Sequence, residues 1–213
     1  MKTIHTYILE KFQVGKDNIK KYAYHPKDKD ELIKCIKDKI EKEELGTEDK
    51  PLDLNDIDTS EITDMSDLFN AKNGDLIELS DNGYFDISAW DVSNVENMSY
   101  MFCWSSFNGD ISEWDVSNVK SMKKMFMYSD FNGNLSKWDV SKVEDMYWMF
   151  RRTKFNGNIS SWDVSKVKNM SGMFYDSNFN RNLSKWNVSN VEDMSGMFTG
   201  CLIENNPPKW YHE

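Results

Sequence analysis

Eight residues stand out for the chemistry they could do together: Tyr100, Trp104, Tyr128, Tyr147, Trp148, Arg151, Arg152 and Tyr175. Trp, Tyr and Arg dominate the energetics of binding interfaces, because each joins a large planar surface to a polar handle. Their chemistry is the capture of a protein or glycan partner. A second set, Asp91, Asp115, Asp139 and Asp163, recurs at one constant spacing and ends in Asn187. Like charges one strand spacing apart repel by about 1 kcal/mol per neighbour at a surface. Either backbone amides hold these carboxylates or a cation such as Ca²⁺ neutralises them. Backbone capping is the simpler reading, since no unit carries the dense glycine and oxygen-ligand pattern of a dedicated calcium loop.

Other chemistries find few residues. His5, His25 and His212 lie towards the two ends, and no Cys stands two to four residues from another, so the spacing of a zinc site is missing. The serines recur with the period described next, and neither a G-x-S-x-G elbow nor a His-paired Cys occurs. No pair of carboxylates is marked out for glycoside hydrolysis. The expectation is a protein that is not an enzyme and uses neither metal nor cofactor, with a glycan-active hydrolase as the remote alternative.

The elements that must carry the eight residues follow from a period. Trp90, Trp114, Trp138, Trp162 and Trp186 keep a 24-residue period without a slip, each opening the phrase W-(D/N)-V-S-x-V-x-x-M-x-x-M-F, with F-N-x-x-(I/L)-S before the later tryptophans. An unbroken period of this length signals stacked repeats, in which no unit buries its own apolar side. The register extends backwards: Asp58 to Phe69 aligns with Asp91 to Phe102, and Ile57 stands in the place of Trp90. The interval from Asp58 to Asp91 is longer than the period by nine, expected as an insertion about 71–82. That makes six units.

Within a unit, Val95, Met98, Met101 and Phe102 fall at i, i+3, i+6 and i+7, the spacing of one face of a short helix. Ser93 fits its N-cap and Glu96 the capping box, which Lys120 and Lys168 break in two other units. The F-N-G segment reads as a turn entering a short parallel strand, with Asn108, Asn132, Asn156 and Asn180 in a ladder. Gly109, Gly133 and Gly157 there suit a positive φ, although Arg181 takes the fourth place. The paired methionines need no role beyond adaptable core packing. The fold class expected is thus α/β, a leucine-rich-repeat-like solenoid of six 24-residue strand-turn-short-helix units.

Residues 1–50 are non-repeating and suited to a helical cap over the first unit. Asp28 to Glu31 forms a capping box, and Leu32, Ile33, Ile36 and Ile40 give one apolar face to a helix over about 29–44. A shorter helix over Ile4 to Phe12 is also expected. Residues 51–202 form the repeats, and 203–213, with Pro207, Pro208, Trp210 and Tyr211, a C-terminal lid.

Composition limits the partners. With 36 acidic against 26 basic residues the net charge is −10, which argues against nucleic acid. Cys35, Cys103 and Cys201 are odd in number and unpaired in spacing, so reduced thiols are expected. No segment reads as an export signal or a membrane span, so no membrane insertion is expected and a cytoplasmic or virion-associated place is favoured.

The phrase M-F-x-x-S-x-F-N-G-x-I-S-x-W-D-V-S-N-V-x-x-M, as in Met101 to Met122, resembles the repeats of BspA-like leucine-rich-repeat surface proteins and the related domain of unknown function in mycoplasma lipoproteins. The match covers about residues 54–202. The resemblance implies a leucine-rich-repeat-like solenoid and a role in adhesion or protein interaction, and its relatives are often surface-exposed. Residues that break the period are where function should lie. The eight aromatic and Arg residues occupy slots off the apolar face, so several should be exposed. The last unit has Ser195, Gly196, Thr199 and Gly200 there, so the patch should fade towards the C terminus. The bland alternative for the patch is that some rings lie over the edges of neighbouring units and merely finish the core; the alternative function is a structural virion or cell-envelope component that self-associates.

Overall fold

A computed structural model of the chain describes residues 22–212. Regular elements are few among them: helix α1 (Lys29–Glu43), strand β1 (Leu52–Asp53), helix α2 (Ile77–Asn82) and strand β2 (Phe85–Asp86). The expected helix over Ile4 to Phe12 lies outside the described residues. From Asp53 onward the chain is organised by repeat-to-repeat contacts. Parallel bridges join Asp64 to Asn97 and then run through Ser121, Asp145, Asn169 and Asp193, one residue per unit. Each unit therefore lies directly against the next along one edge.

The hydrogen bonds of that edge explain why it is not a helix. The amides of Met98, Tyr100, Phe102 and Trp104 donate to the carbonyls of Ser121, Lys123, Met125 and Met127 in the next unit, at 2.8–2.9 Å. The intervening amides of Met101 and Cys103 turn back on Met98 and Tyr100 at 3.2 and 3.0 Å. Alternate amides thus serve the stack and a tight turn. A helix would direct all of them within the unit and leave the neighbour unbonded. The short helix expected in each unit is corrected accordingly to a chain of turns. Apolar residues every third position fit a turn every three residues as well as they fit a helical face.

Side chains punctuate the same coil. In one unit Asn134, Asp139 and Asp145 accept through Oδ1 from the amides two residues on, those of Ser136, Ser141 and Tyr147, at 2.8–3.0 Å. Such Asx turns compete with helix formation, which is the physical reason the expected capping box does not form. Ser93 is not a helix cap; its amide donates to Asp91. The Asp ladder is held in this way throughout, through Ser93, Ser117, Ser141 and Ser165. Lys120 and Lys168 do not break a pattern either. They pair with Glu96 and Glu144 of the preceding units at 2.7 and 2.6 Å, part of an alternating series Glu96, Lys120, Glu144, Lys168, Glu192.

The interior is built from ladders. Each Trp indole N–H donates to a carbonyl one unit back: Trp114 to Ile87, Trp138 to Ile111, Trp162 to Leu135 and Trp186 to Ile159, at 3.0–3.2 Å. This bond is what the invariant Trp is for, since no other apolar side chain fills the volume and supplies a donor. Phe102, Phe126, Phe150, Phe174 and Phe198 stack at 5.5–5.9 Å, and Phe107, Phe131, Phe155 and Phe179 at 6.4–6.5 Å beside them. All nine rings are buried, each burial stabilising by about 1.5–3 kcal/mol.

Strands in the F-N-G segment are found only at the start, where β1 and β2 pair in parallel with Leu52 opposite Phe85. In later units the Asn ladder takes over, with Asn132, Asn156 and Asn180 amides donating to the side chain one unit back at 2.8–3.0 Å. The glycines there are not left-handed as expected. A Cβ on Gly109, Gly133 or Gly157 would meet the ring of Phe107, Phe131 or Phe155 at 2.6–2.8 Å, so glycine there relieves a close contact and not a left-handed φ, and Arg181 shows that a side chain is accommodated in the fourth place.

Both ends of the stack are engaged. Helix α1 starts at Asp28, whose side chain accepts from the Glu31 amide, and it buries Leu32, Ile33 and Ile36. Buried Lys39 ties it to Asp56 at 2.9 Å. The insertion contains α2, whose Leu79 is buried and whose Ser80 carbonyl accepts from the Ser106 amide at 2.9 Å. At the other end Trp210 stands one full period after Trp186 and donates to Leu183 at 2.9 Å. The C-terminal segment thus begins a further turn of the same ladder.

Candidate interaction surface

The eight residues singled out lie in two turns that recur in every unit. One turn contributes Tyr100, Lys124, Trp148, Gly172 and Gly196; the other contributes Trp104, Tyr128, Arg152, Asp176 and Gly200. Every one of these ten has positive φ, between 51° and 71°. A bulky L-residue in this left-handed region is strained by about 1–2 kcal/mol, and glycine avoids the strain. The later units use glycine at Gly172, Gly196 and Gly200 but Asp at Asp176, whereas the middle units hold Trp, Tyr, Lys and Arg.

The structure brings all eight residues together along one face. Trp104 stacks on Tyr128 with ring centroids 4.0 Å apart and planes 6° from parallel. The Tyr128 hydroxyl accepts from Arg152 Nη1 at 3.2 Å, and Arg152 Nε donates to Asp176 at 3.0 Å. That carboxylate raises the guanidinium pKa further and keeps it charged. Tyr147 stacks on Trp148 at 4.7 Å. The Arg151 guanidinium lies 4.0 Å from the Trp148 ring centroid, 5.0 Å from Tyr175 and 5.5 Å from Tyr128, and its buried Nε has no hydrogen-bond partner. Tyr100 joins through Lys124, whose Nζ donates to its hydroxyl at 3.0 Å.

Three cations missed from the sequence complete the face. Lys124 lies 4.9–5.4 Å from the rings of Tyr100, Tyr147 and Trp148, Lys123 lies 5.5 Å from Tyr147, and Lys72 lies 4.6 Å from Trp104. The signal was available, because Lys123 and Lys124 occupy the slots of Tyr147 and Trp148 one period earlier. Their type hid it, since exposed lysine is unremarked on any surface.

Exposure divides the eight. Trp104, at 39%, and Arg152 are exposed, while Tyr100, Tyr128, Tyr147, Trp148, Arg151 and Tyr175 are half-buried against adjacent units. Cys103 and Met127 form a buried floor, and burial pushes the Cys103 thiol up to about 12. The chemistry on offer is cationic heads, ring edges and a few hydroxyls. Among the described residues no group of three or more His, Cys, Asp or Glu side chains could hold a metal ion, and no helix is long and apolar enough to cross a membrane.

No curated protein and no solved structure matches the chain. Residues 44–153, 76–175 and 127–211 each match the family described as a Mycoplasma protein of unknown function, DUF285. Overlapping matches of this kind are what a repeating sequence produces, and the first spans more than half of the 213 residues. The chain therefore belongs to this repeat family of unknown function.

Proposed function

We propose that the chain is a non-catalytic interaction module, a leucine-rich-repeat-like solenoid of the BspA-like type that holds a protein or glycan partner on the aromatic and cationic face. The observation that carries this reading is the placement of Trp104, Tyr128, Trp148 and Arg152 at left-handed positions where Gly172, Gly196 and Gly200 serve in later units. Stacking alone does not require bulky residues there, and strain accepted at one surface is a mark of function.

The test is the double substitution Trp104→Gly with Tyr128→Gly. Relief of left-handed strain, about 1–2 kcal/mol per residue, offsets the lost ring stacking of about 0.5–1.5 kcal/mol. The melting temperature should stay near that of the parent, while binding to ligands selected from peptide and glycan arrays is lost. A fall as large as that of Phe126→Ala, where a buried ring is removed at about 3–5 kcal/mol, would make the rings part of the core and end the proposal.

A further inference from the structure

We infer that this face takes an acidic peptide segment of a protein partner, its carboxylates meeting Lys72, Lys123, Lys124 and Arg151. The inference rests on the interaction reading above and narrows it to one ligand class.

The setting of its cations, on rings and not on carboxylates, sets the face apart from the rest of the stack. Elsewhere many of the cations are matched to carboxylates one unit away, as in Lys120 with Glu96, Lys154 with Asp130, and Lys168 with Glu144, while Lys142 and Arg181 bond to the Asn118 carboxamide and the Asn156 carbonyl. Among the described residues, none of Lys72, Lys123, Lys124 and Arg151 has a carboxylate within ion-pair distance. Their neighbours are rings. An aromatic face stabilises a cation without cancelling its charge. Counting Lys72, Lys123, Lys124, Arg151 and Arg152 against Asp67 and Asp176, the face carries five positive and two negative groups on a protein of net charge −10.

The rings themselves have little face left to offer. Trp104 has Tyr128 from the following unit on one side and Lys72 from the preceding unit on the other. Trp148 is covered by Arg151 and lies against Gly172. With their faces taken, these rings offer no platform for a nucleobase or a sugar ring. What they turn outward is the edge, the positive part of the aromatic quadrupole.

Donors also outnumber acceptors. The two carboxylates counted on the face are already engaged, Asp176 by Arg152 and Asp67 by the Asn70 side chain. The hydroxyls of Tyr100 and Tyr128 already accept from Lys124 and Arg152. Sugar hydroxyls need acceptors as well as donors, whereas an ionised carboxylate needs donors alone.

Fluorescence anisotropy of a labelled oligo-glutamate peptide on the full chain tests this, against oligo-lysine, a neutral oligosaccharide, a sulfated oligosaccharide and a single-stranded oligonucleotide. The oligo-glutamate should bind best and weaken as salt is raised. Lys124→Gln with Arg151→Gln should weaken it about tenfold or more, the effect of losing a charge-assisted hydrogen bond. Lys120→Gln, whose lysine is matched by Glu96, should leave it unchanged. Lys72→Gln with Lys123→Gln, which spares the half-buried Arg151, should weaken it in the same direction and guards against a variant that fails to fold. Preference for another probe, or indifference to these substitutions, overturns the inference. If a saccharide binds instead and is lost in Trp104→Gly with Tyr128→Gly, the acidic-peptide inference fails while the interaction reading stands; if no probe binds, the inference fails and the array experiment alone decides that reading.

Discussion

The Trp148 indole lies so close to Gly172 of the next unit that a Cβ there would come within 2.4 Å of its Cδ1 and Nε1. Gly172 also has φ +57. Gly172→Ala should therefore lose stability twice, about 1 kcal/mol from the left-handed backbone and more from displacement of Trp148. Gly196→Ala is the control, with φ +59 but its nearest contact 3.5 Å away, and should show the backbone loss alone. Urea unfolding of the two variants checks this, and equal losses would mean that Trp148 yields freely.

Trp138→Phe removes the indole donor to the Ile111 carbonyl, a bond of 3.0 Å in the buried interior. The expected loss is about 1–3 kcal/mol, the cost of leaving a buried partner short of a hydrogen bond. Trp210→Phe should cost less. Its ring is only half-buried and ends the ladder, so water can replace the bond to Leu183. Chemical denaturation midpoints of the two variants rank them.

Lys120 stands between Glu96 and Glu144 in adjoining units. Lys120→Glu places three like charges in a row and should lower the melting temperature at low salt. The pairs are exposed, so the fall should be small and vanish in concentrated salt. A loss independent of salt would point to packing instead of charge.

Acid should weaken the stack through its Asx turns. The Ser117 hydroxyl and amide hold the Asp115 carboxyl below the ordinary carboxylate range, and those of Ser165 do the same for Asp163. For Asp110 and Asp193 the amides of Ser112 and Ser195 lead, with the hydroxyls second. A pKa depressed by folding contributes stability that is fully present above the unfolded value, about 3.9, and is lost as pH falls through the lower folded value. Melting temperatures should hold above about pH 5 and decline below about pH 4. Ser117→Ala should return the Asp115 pKa, followed by NMR titration, towards the usual value.

Much of the core was legible in the chain because a 24-residue period exposes every residue that stacking requires. Trp90, Val95, Met98 and Phe102 are buried as their recurrence demands, helix α1 begins at its capping residue Asp28, and Ile57 occupies the place of the missing Trp. The eight aromatic and Arg residues were legible as those that depart from the period, whereas Lys72, Lys123 and Lys124 beside them were not. Local conformation was not. Apolar spacing at every third residue suits a helix and a chain of turns equally, and the choice was made by amides of one unit finding carbonyls of the next, a contact between positions almost a whole period apart. The same separation hid the pairing of Lys120 with Glu96, the indole bonds and the membership of Trp210 in the Trp ladder. The sequence by itself determined which side chains go inside, because burial depends on residue type and period. Only the tertiary structure decided that Trp104, Tyr128 and Trp148 hold left-handed turns beside unmatched cations, because φ and charge pairing are settled by neighbours that arrive when the units stack.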